Sequence, residues 1–514
     1  MIIFWIYFLG MIGIGIYCRK YSTDFNGFMV GKRDLGPWYL GCAFFSTYLS
    51  SSVLIGNCGT AYYNGMSYMW NTVAQVLCTP IGIILLFAGL AKASKQLGVV
   101  TVPGYLKKRY LSNVPAGLLA AFMLVFLLPY LIGVAKGSAL MISAVTGFTF
   151  AQSVILILGV TLVYSLIGGF MAGTITDFFQ SLLMCFGATF VFVAALIEIG
   201  GINNVITTLS AMDYDHLVNS PGALGWNQLV GVTFVFGLAP WGLPQLLQKG
   251  FAMKDKRVIK PSVIIVIFLM LFILYTSNGN GAIARALYGD ALLESTDSVF
   301  PYMVTQLMPD WAQGLVMAAV VAAAMSTLDG VILVMGAAAS NDLYKGCINP
   351  NASDKTVLRI TQAVMFIVLG LLAIITIGGV GTQITFLATF SHTMMASMIA
   401  VPMFGGMFWR GGNTTGCVMA QVCGACSALI WYALGQPFCH FFFPAMVMSF
   451  VGYVVGSKFG KPLPEEYIHI LFPNGQREKE FHWGIHNAKM KKETVNKYPH
   501  LLFFLGLPML QQEW

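Results

Sequence analysis

One apolar segment of this 514-residue chain carries an unusual density of hydroxyl groups. Five hydroxyl side chains stand within seven positions: Ser46, Thr47, Ser50, Ser51 and Ser52. A single hydroxyl can bond back to its own helix, but five at one depth indicate a loosened helix beside a polar cavity. The oxygens of such a break, from side chains and from unwound carbonyls, can bind a cation or a polar ligand.

A second segment carries helix breakers of a different kind. Gly237, Pro240, Gly242 and Pro244 fall within eight positions of an apolar run. Each proline removes a backbone donor and clashes with the preceding turn, so this segment is predicted to be kinked or interrupted. Taken alone, the kink fits a purely structural role as well as it fits a binding site.

A third segment, Ala322 to Gly330, combines small residues with two adjacent hydroxyls, Ser326 and Thr327. Small side chains let another helix approach closely. Hard cations prefer oxygen ligands, so these hydroxyls together with the carbonyls of a broken helix would suit a sodium ion. The alternative is that both hydroxyls bond back to their own helix.

Ionisable side chains inside apolar runs are further candidates, because each costs about 2.5–3.5 kcal/mol to place in a membrane. Lys136 could neutralise a substrate carboxylate, occupy a site otherwise held by a cation, or extend to a water-filled vestibule. Asp177 could act near the ion or cap the start of a helix. Asp329 and His392 are interpreted as structural.

The segments that position these residues are long and apolar. Hydrophobic residues make up 57% of the chain, charged residues only 9%, and the mean hydropathy is +0.76. A helix needs about 20 apolar residues to cross a bilayer. The sequence therefore predicts an all-α polytopic membrane protein, embedded in the lipid bilayer, with about 13 transmembrane helices: residues 2–18, 36–61, 70–92, 115–144, 151–168, 175–200, 226–247, 261–284, 312–340, 357–378, 384–408, 414–434 and 440–456.

The net charge of +8 lies mostly in the short gaps between apolar runs, which argues against a nucleic-acid partner. Alternate gaps are rich in Lys and Arg, and the others hold chiefly acidic residues. The positive-inside rule then puts the N-terminus outside and the C-terminus in the cytoplasm of a multi-pass protein, most simply of a bacterial inner membrane. No catalytic cluster is present, so an enzyme is not predicted. A short apolar patch in the tail, residues 501–510, is predicted to dock at a surface.

The two interrupted segments occupy matching places in the chain. If the first helix is peripheral, the next ten form two sets of five, and each interrupted helix is the first of its set. An odd number of helices inverts the second set, and paired broken helices in inverted repeats point to a midplane binding site in secondary transporters. The predicted divisions are residues 1–35 (first helix and loop), 36–200 (first repeat), 201–408 (external loop and second repeat), 409–460 (two further helices) and 461–514 (tail).

Several motifs in the same order resemble the sodium/solute symporter family over most of residues 1–460. They are Ser46 to Gly56, Ala61 to Gly65, Tyr164 to Phe170 with Thr176, Asp177 and Gln180, Ala322 to Asp329, and Asn341 to Tyr344. The resemblance implies two inverted five-helix repeats and sodium-coupled uptake of a small organic solute. Within the family the chain looks most like pantothenate permeases and next most like proline symporters, which implies a carboxylate-bearing solute.

The resemblance also implies particular ligands. By position, sodium would bind the backbone carbonyls of Ser46, Leu49 and Ala323 and the hydroxyls of Ser326 and Thr327. The solute would be lined by Ser50, Val53, Asn71, Gln75, Trp241 and Gln245. Tyr48 stands where some members carry an acidic residue, which argues against a second, acid-assisted cation role there. Lys136 stands where they carry a small residue and bears on the coupling stoichiometry; Lys136 and Asp177 are the candidates for coupling.

Other functions remain open at this point. The solute could be proline or another amino acid, and the driving ion could be the proton. A channel would need a continuous polar pore, which paired broken helices argue against. A sensor would need a signalling domain larger than the tail of about 55 residues. The sequence predicts no oligomeric state.

Overall fold

The computed structural model describes residues 2–379 and 381–471. Within those ranges the chain is helical, and the one isolated β-bridge joins Leu35 to Met253. The predicted apolar patch of the tail lies outside the described residues. The α-helices are α1 (Ile2–Cys18), α2 (Phe25–Val30), α3 (Pro37–Tyr48), α4 (Cys58–Asn64), α5 (Met69–Leu97), α6 (Val102–Tyr110), α7 (Asn113–Phe126), α8 (Leu128–Thr146), α9 (Phe150–Ile199), α10 (Ile202–Leu217), α11 (Gly225–Leu238), α12 (Pro244–Phe251), α13 (Ile259–Tyr288), α14 (Val299–Leu307), α15 (Asp310–Ala337), α16 (Asp354–Ile377), α17 (Ile384–Phe408), α18 (Thr414–Ala433), α19 (Phe442–Phe459) and α20 (Glu465–Leu471).

Ten helical stretches of the described chain are long and apolar enough to cross a membrane. Two of them each run through two predicted helices: Ser52–Leu97 and Phe150–Ile199. The first predicted helix, α1, has 17 residues, slightly fewer than the roughly 20 that a crossing needs. The all-α membrane fold is therefore confirmed, and the number of crossings stays a prediction.

Helix α15 lies at the centre of the molecule and α9 lies mostly at its periphery. In the most apolar part of the stretch that contains α15, 89% of residues are buried, against 28% in the stretch that forms α9. A helix that is apolar on all sides belongs in the interior of a protein, and small residues let its neighbours come close. The Cβ that an alanine would add at Gly187 of α9 would lie 2.5 Å from the Cβ of Ala319. The third predicted segment is thus packed on every side.

Both predicted interruptions are present in the structure. Helix α3 ends at Tyr48, and Leu49 leaves the helical region with φ −90° and ψ 87°. The chain then continues through a π-helical turn, Ser52–Asn57, into α4. Helix α11 ends at Leu238, a 3-10 turn covers Ala239–Gly242, and α12 begins at Pro244 after an extended Leu243. Prolines without N–H groups and clustered hydroxyls explain why regular helix stops at these places.

Glycines allow some of the closest contacts between helices. Gly281 of α13 packs against α4, and a Cβ on it would lie 2.1 Å from the carbonyl oxygen of Cys58. Gly169 bends α9 with φ 53° and ψ −150°, and a Cβ there would lie 2.8 Å from the carbonyl oxygen of Phe28. No other residue type fits such approaches without moving the backbone.

One buried arginine ties α6 to the C-terminal end of α17. The guanidinium of Arg109 donates to the carbonyls of Gly406 at 2.6 Å, Trp409 at 3.1 Å and Gly412 at 3.4 Å. The last carbonyls of a helix lack partners within the helix, and a planar fork of donors can satisfy several of them. Arg109 therefore holds this end of α17 in place.

Candidate ion and solute site

The two adjacent hydroxyls of α15 meet the broken end of α3. Ser326 Oγ donates to the carbonyl of Ser46 at 2.7 Å, and Thr327 Oγ1 donates to the carbonyl of Thr47 at 3.0 Å. Both hydroxyls also lie within hydrogen-bond distance of the carbonyl of Ala323, at 3.1 and 3.3 Å. Because α3 stops at Tyr48, its last carbonyls lack donors from their own helix, and α15 supplies them instead.

The oxygen atoms at this place have the chemistry of ligands for a hard, singly charged cation. Four uncharged oxygens lie together: the carbonyls of Ser46 and Ala323 and the hydroxyls of Ser326 and Thr327. The predicted set also includes the carbonyl of Leu49, and Leu49 is the residue at which the helical backbone stops. The hydroxyl of Ser46 is buried beside the carboxylate of Asp177, without a hydrogen bond of full geometry among the described residues. A sodium ion would exchange the hydroxyl–carbonyl bonds for ion–oxygen contacts, so the residues fit such an ion.

A buried ion pair adjoins this cluster of oxygens. The ammonium of Lys249 lies 3.0 Å from Oδ2 of Asp177, and the hydroxyl of Thr47 lies 3.4 Å from the same oxygen. Asp177 lies inside α9, two turns beyond the bend at Gly169, so it does not cap a helix. It reaches the candidate ion site through Thr47, whose carbonyl accepts from Thr327. Sequence reasoning missed Lys249, because its position near a basic gap made it resemble an orienting charge.

A second buried carboxylate lies on α15 just beyond the hydroxyls. Asp329 faces α9 at Gly173, where an added Cβ would lie 2.0 Å from its Oδ2. Its other oxygen, Oδ1, has no hydrogen-bond partner among the described residues. Both carboxylates are almost completely buried, and only Asp177 has an ammonium group beside it.

A small cavity opens beside the interruption of α3. It is lined by Tyr48, Ser50, Ser52, Val53, Tyr130, Phe236, Ala388 and His392. The sequence predicts Ser50 and Val53 as lining residues, and the structure places both of them in the wall. Tyr130, Phe236 and His392 were not predicted to line a site, because nothing in their own segments indicates that three separate helices converge here.

The other predicted solute residues lie outside this cavity. Asn71 donates to the hydroxyl of Tyr68 at 2.8 Å and accepts from Gln75. The indole of Trp241 donates to the carbonyl of Cys78 at 3.0 Å. Gln245 packs beside α15, and neither atom of its buried amide has a partner among the described residues.

Lys136 is held by an ion pair. Its ammonium lies 2.8 Å from Oδ2 of Asp297 and 3.0 Å from the carbonyl of Thr382. The carboxylate of Asp297 in turn accepts from the backbone N–H of Ile384, the first residue of α17, at 3.3 Å. Lys136 therefore joins α8 to the turn before α14 and to the start of α17.

In the ranges that the structure describes, no three His, Cys, Asp or Glu side chains come together as a metal site would require. The candidate ligands around Ser326 are neutral oxygens, which suit alkali and other hard cations.

Comparison with known proteins agrees with this geometry. The model of the "Sodium:solute symporter family" matches residues 28–424. The sodium/pantothenate symporter of Escherichia coli K12 is 26% identical over 473 residues, covering 89% of this chain and 96% of that protein. The sodium/proline symporter of the same organism is 24% identical over 478 residues, covering 90% and 93%.

Solved structures show the same fold. A sodium-coupled sialic acid symporter in a substrate-bound outward-open state superposes with a TM-score of 0.76 at 17% identity, covering 89% of this chain and 97% of that one. Mhp1, a nucleobase-cation-symport-1 family transporter, gives a TM-score of 0.56 at 12% identity, covering 87% and 95%. Each of these proteins is a membrane transporter.

Proposed function

Because the chain belongs to the sodium:solute symporter family and is therefore a sodium-coupled symporter, we propose that it carries a small carboxylate-bearing solute such as pantothenate. The observation on which the mechanism rests is the pair of contacts from Ser326 and Thr327 to the carbonyls of Ser46 and Thr47. These contacts join the first helix of one predicted repeat to a helix of the other, at an interruption in the backbone. We propose that transport proceeds by alternating access in a bacterial inner membrane.

Sodium is proposed to bind the carbonyls of Ser46, Leu49 and Ala323 and the hydroxyls of Ser326 and Thr327. The support is the proximity of four of these oxygens and the end of regular helix at Leu49. An ion held by both α3 and α15 fixes the distance between the two helices. It thereby orders the cavity beside the break, where the solute would bind next to Ser50 and Val53.

The remaining predicted solute residues belong to the same proposal. Asn71, Gln75, Trp241 and Gln245 surround the interruptions of α3 and α11 without lining the cavity itself. Gln245 has the strongest support among them, because its buried amide has no partner in the described chain. A solute longer than the cavity, or a change in the position of α12, would bring it into contact.

Coupling between ion and solute is reciprocal: sodium raises the affinity for solute by the factor by which solute raises the affinity for sodium. One sodium ion moving across about 100 mV gains about 2.3 kcal/mol. A tenfold sodium gradient adds about 1.4 kcal/mol. A monoanion carried with one sodium ion moves no net charge, so the membrane potential contributes nothing to its accumulation. A carrier of carboxylates therefore accumulates its solute further if it moves more than one cation.

Asp177 and Lys136 are proposed to act in coupling by holding helices rather than by binding the solute. Asp177 bonds to Thr47 and Lys249, so it adjusts the end of α3 on which the ion site is built. Lys136 holds the start of α17 through Asp297. Both side chains thus act on helices whose movement would open or close the site.

The test is uptake of labelled pantothenate and of labelled proline into proteoliposomes, with and without an inward sodium gradient. The wild type is expected to accumulate pantothenate only with sodium, and the Ser326→Ala/Thr327→Ala variant is expected to lose this accumulation. Ser340→Ala is the matched control, because that buried hydroxyl lies in the segment that follows α15 and bonds to Thr361 of α16 at 2.7 Å. Uptake that follows a proton gradient and ignores sodium would contradict the ion assignment.

The result with proline tests the second candidate solute, which the similarity to sodium/proline symporters supports. Sodium-driven uptake of proline but not of pantothenate would replace the proposed solute and leave the ion mechanism intact. A steady current that does not saturate with solute would instead indicate a channel.

A further inference from the structure

His392 lines the solute cavity, and both of its ring nitrogens are left without a hydrogen-bond partner by the described part of the protein. It lies on α17 and is 1% exposed. Because buried polar atoms are nearly always hydrogen-bonded, these two nitrogens must find their partners in the cavity, in water or in a bound solute.

Three aromatic rings fix the position of this imidazole. The ring of Tyr130 lies 4.7 Å away at 61°, that of Phe236 lies 5.7 Å away at 87°, and that of Tyr48 lies 6.4 Å away. Edge-to-face contacts of this kind hold a ring at a defined angle. His392 is therefore held in place by apolar contacts, which leave its two nitrogens available.

The two neighbouring tyrosine hydroxyls are already engaged. The hydroxyl of Tyr48 donates to the carbonyl of Phe236, and the hydroxyl of Tyr130 donates to the carbonyl of Tyr48 at 3.4 Å. No Asp, Glu, Lys or Arg lines the cavity. His392 thus faces a space without a protein charge, in which a neutral imidazole presents one donor and one acceptor.

We infer that His392 selects the solute by hydrogen-bonding a hydroxyl or amide group that the solute carries in addition to its carboxylate. This inference rests on the proposed function and specifies the solute that the same cavity prefers. A hydroxyl or an amide can accept from the protonated imidazole nitrogen or donate to the unprotonated one. Its remaining donor or acceptor can bond to a second site in the wall, where Ser52 also has a free hydroxyl. A solute whose remaining part is purely hydrocarbon would leave both nitrogens unpaired when it displaced water.

Pantothenate and proline differ in the required way, because the hydroxyl and amide groups of pantothenate can both donate and accept, whereas the ring of proline carries only an ammonium, which cannot accept from the imidazole N–H. A site built to hydrogen-bond such a group strongly rejects an analogue that lacks it. The expected result is that sodium-driven uptake by the wild type has a higher kcat/KM for pantothenate than for proline.

Substitution of the ring nitrogens tests the inference directly in proteoliposomes containing the full chain. His392→Phe keeps an aromatic ring among Tyr130 and Phe236 and removes both nitrogens. We expect kcat/KM for pantothenate to fall by at least about tenfold, the pantothenate-to-proline ratio to fall with it, and the sodium concentration for half-maximal uptake to stay unchanged. His392→Gln, which restores a donor and an acceptor, is expected to recover part of the ratio.

The matched control is His440→Phe, which removes the other buried imidazole of the described chain from outside the cavity. It is expected to leave the pantothenate-to-proline ratio at the wild-type value. If His392→Phe fails to reach the membrane, the ratio measured for His392→Gln decides, since a purely structural histidine would change uptake of both solutes alike.

Three results would overturn the inference, and they are distinguishable. Wild-type kinetics for pantothenate in His392→Phe, or a wild type that prefers proline, would refute the role of His392 and leave sodium symport intact. A wild type that moves neither solute with sodium would refute the proposed function and this inference together.

Discussion

The ammonium of Lys249 lies 3.0 Å from the carboxylate of Asp177, and both side chains are almost completely buried. The pair joins α12, just after the second interruption, to α9. Through the hydroxyl of Thr47 it also reaches the first interruption. The two broken helices are therefore linked by charge as well as by packing.

Removing only one partner of this ion pair is expected to destabilise the protein more than removing both. Lys249→Met leaves a buried carboxylate uncompensated, at a cost of about 3–5 kcal/mol, whereas the double variant Lys249→Met/Asp177→Asn leaves no charge. We expect the melting temperature of the purified protein to fall more in the single variant than in the double one. A loss in the double variant equal to the sum of the losses in Lys249→Met and in Asp177→Asn would show that the two groups are not coupled in the folded protein.

The ion site predicts a difference between two substitutions of one residue. Thr327→Val keeps the shape of the side chain and removes the hydroxyl, while Thr327→Ser keeps the hydroxyl. Loss of one ligand is expected to raise the sodium concentration for half-maximal uptake by about tenfold in the valine variant, which corresponds to about 1.4 kcal/mol, and far less in the serine variant. Similar sodium dependence in both would argue that Thr327 only packs against α3.

Lys136 and Asp297 are expected to give the same defect when either is altered. Lys136→Met and Asp297→Asn each free the start of α17, so the double variant should be no worse than either single one. The measurement is the initial rate of sodium-driven uptake over a range of solute concentrations. A KM that rises in Lys136→Met but not in Asp297→Asn would instead mean that Lys136 contacts the carboxylate of the solute.

Gly281 is expected to tolerate no side chain. Gly281→Ala would place a Cβ 2.1 Å from the carbonyl oxygen of Cys58, so α4 and α13 would have to separate. Overpacking of this kind costs about 1–3 kcal/mol, and we expect a lower melting temperature and a lower yield of folded protein. Gly159→Ala is the control, since its Cβ would meet nothing within 4 Å; an equal loss in both would contradict the packing argument.

Sequence predicted the features that depend on residue type within one segment. Proline and glycine mark the second interruption, clustered hydroxyls mark the first, and the pair Ser326 and Thr327 indicates oxygen ligands. All three features are local in the sequence. The structure brings them together because the small, apolar side chains of α15 let it pack closely against α3. The exact number of membrane crossings was less accessible, because the long stretch Phe150–Ile199 bends without ending.

Features made by distant segments were beyond sequence reasoning. Lys249 looks like an orienting charge until α12 is seen to carry it inward to Asp177. His392 reads as a structural histidine until α8 and α11 bring Tyr130 and Phe236 to its ring. In each case the residue type is visible in the sequence and its partner is not, since the partner comes from a separate helix.

Arg109 holds the C-terminal end of α17 more firmly than the N-terminal end is held, so α17 could turn about its C-terminal end. A buried guanidinium that binds three carbonyls is a firm fulcrum at the C-terminal end, whereas the N-terminal end is held by the partly exposed pair of Lys136 and Asp297. The 25 residues of α17 span about 37 Å, so a turn of about 10° at the fulcrum swings the far end by roughly 6 Å. His392 lies roughly 24 Å from the fixed end, so the same turn would move it by about 4 Å relative to the cavity that it lines.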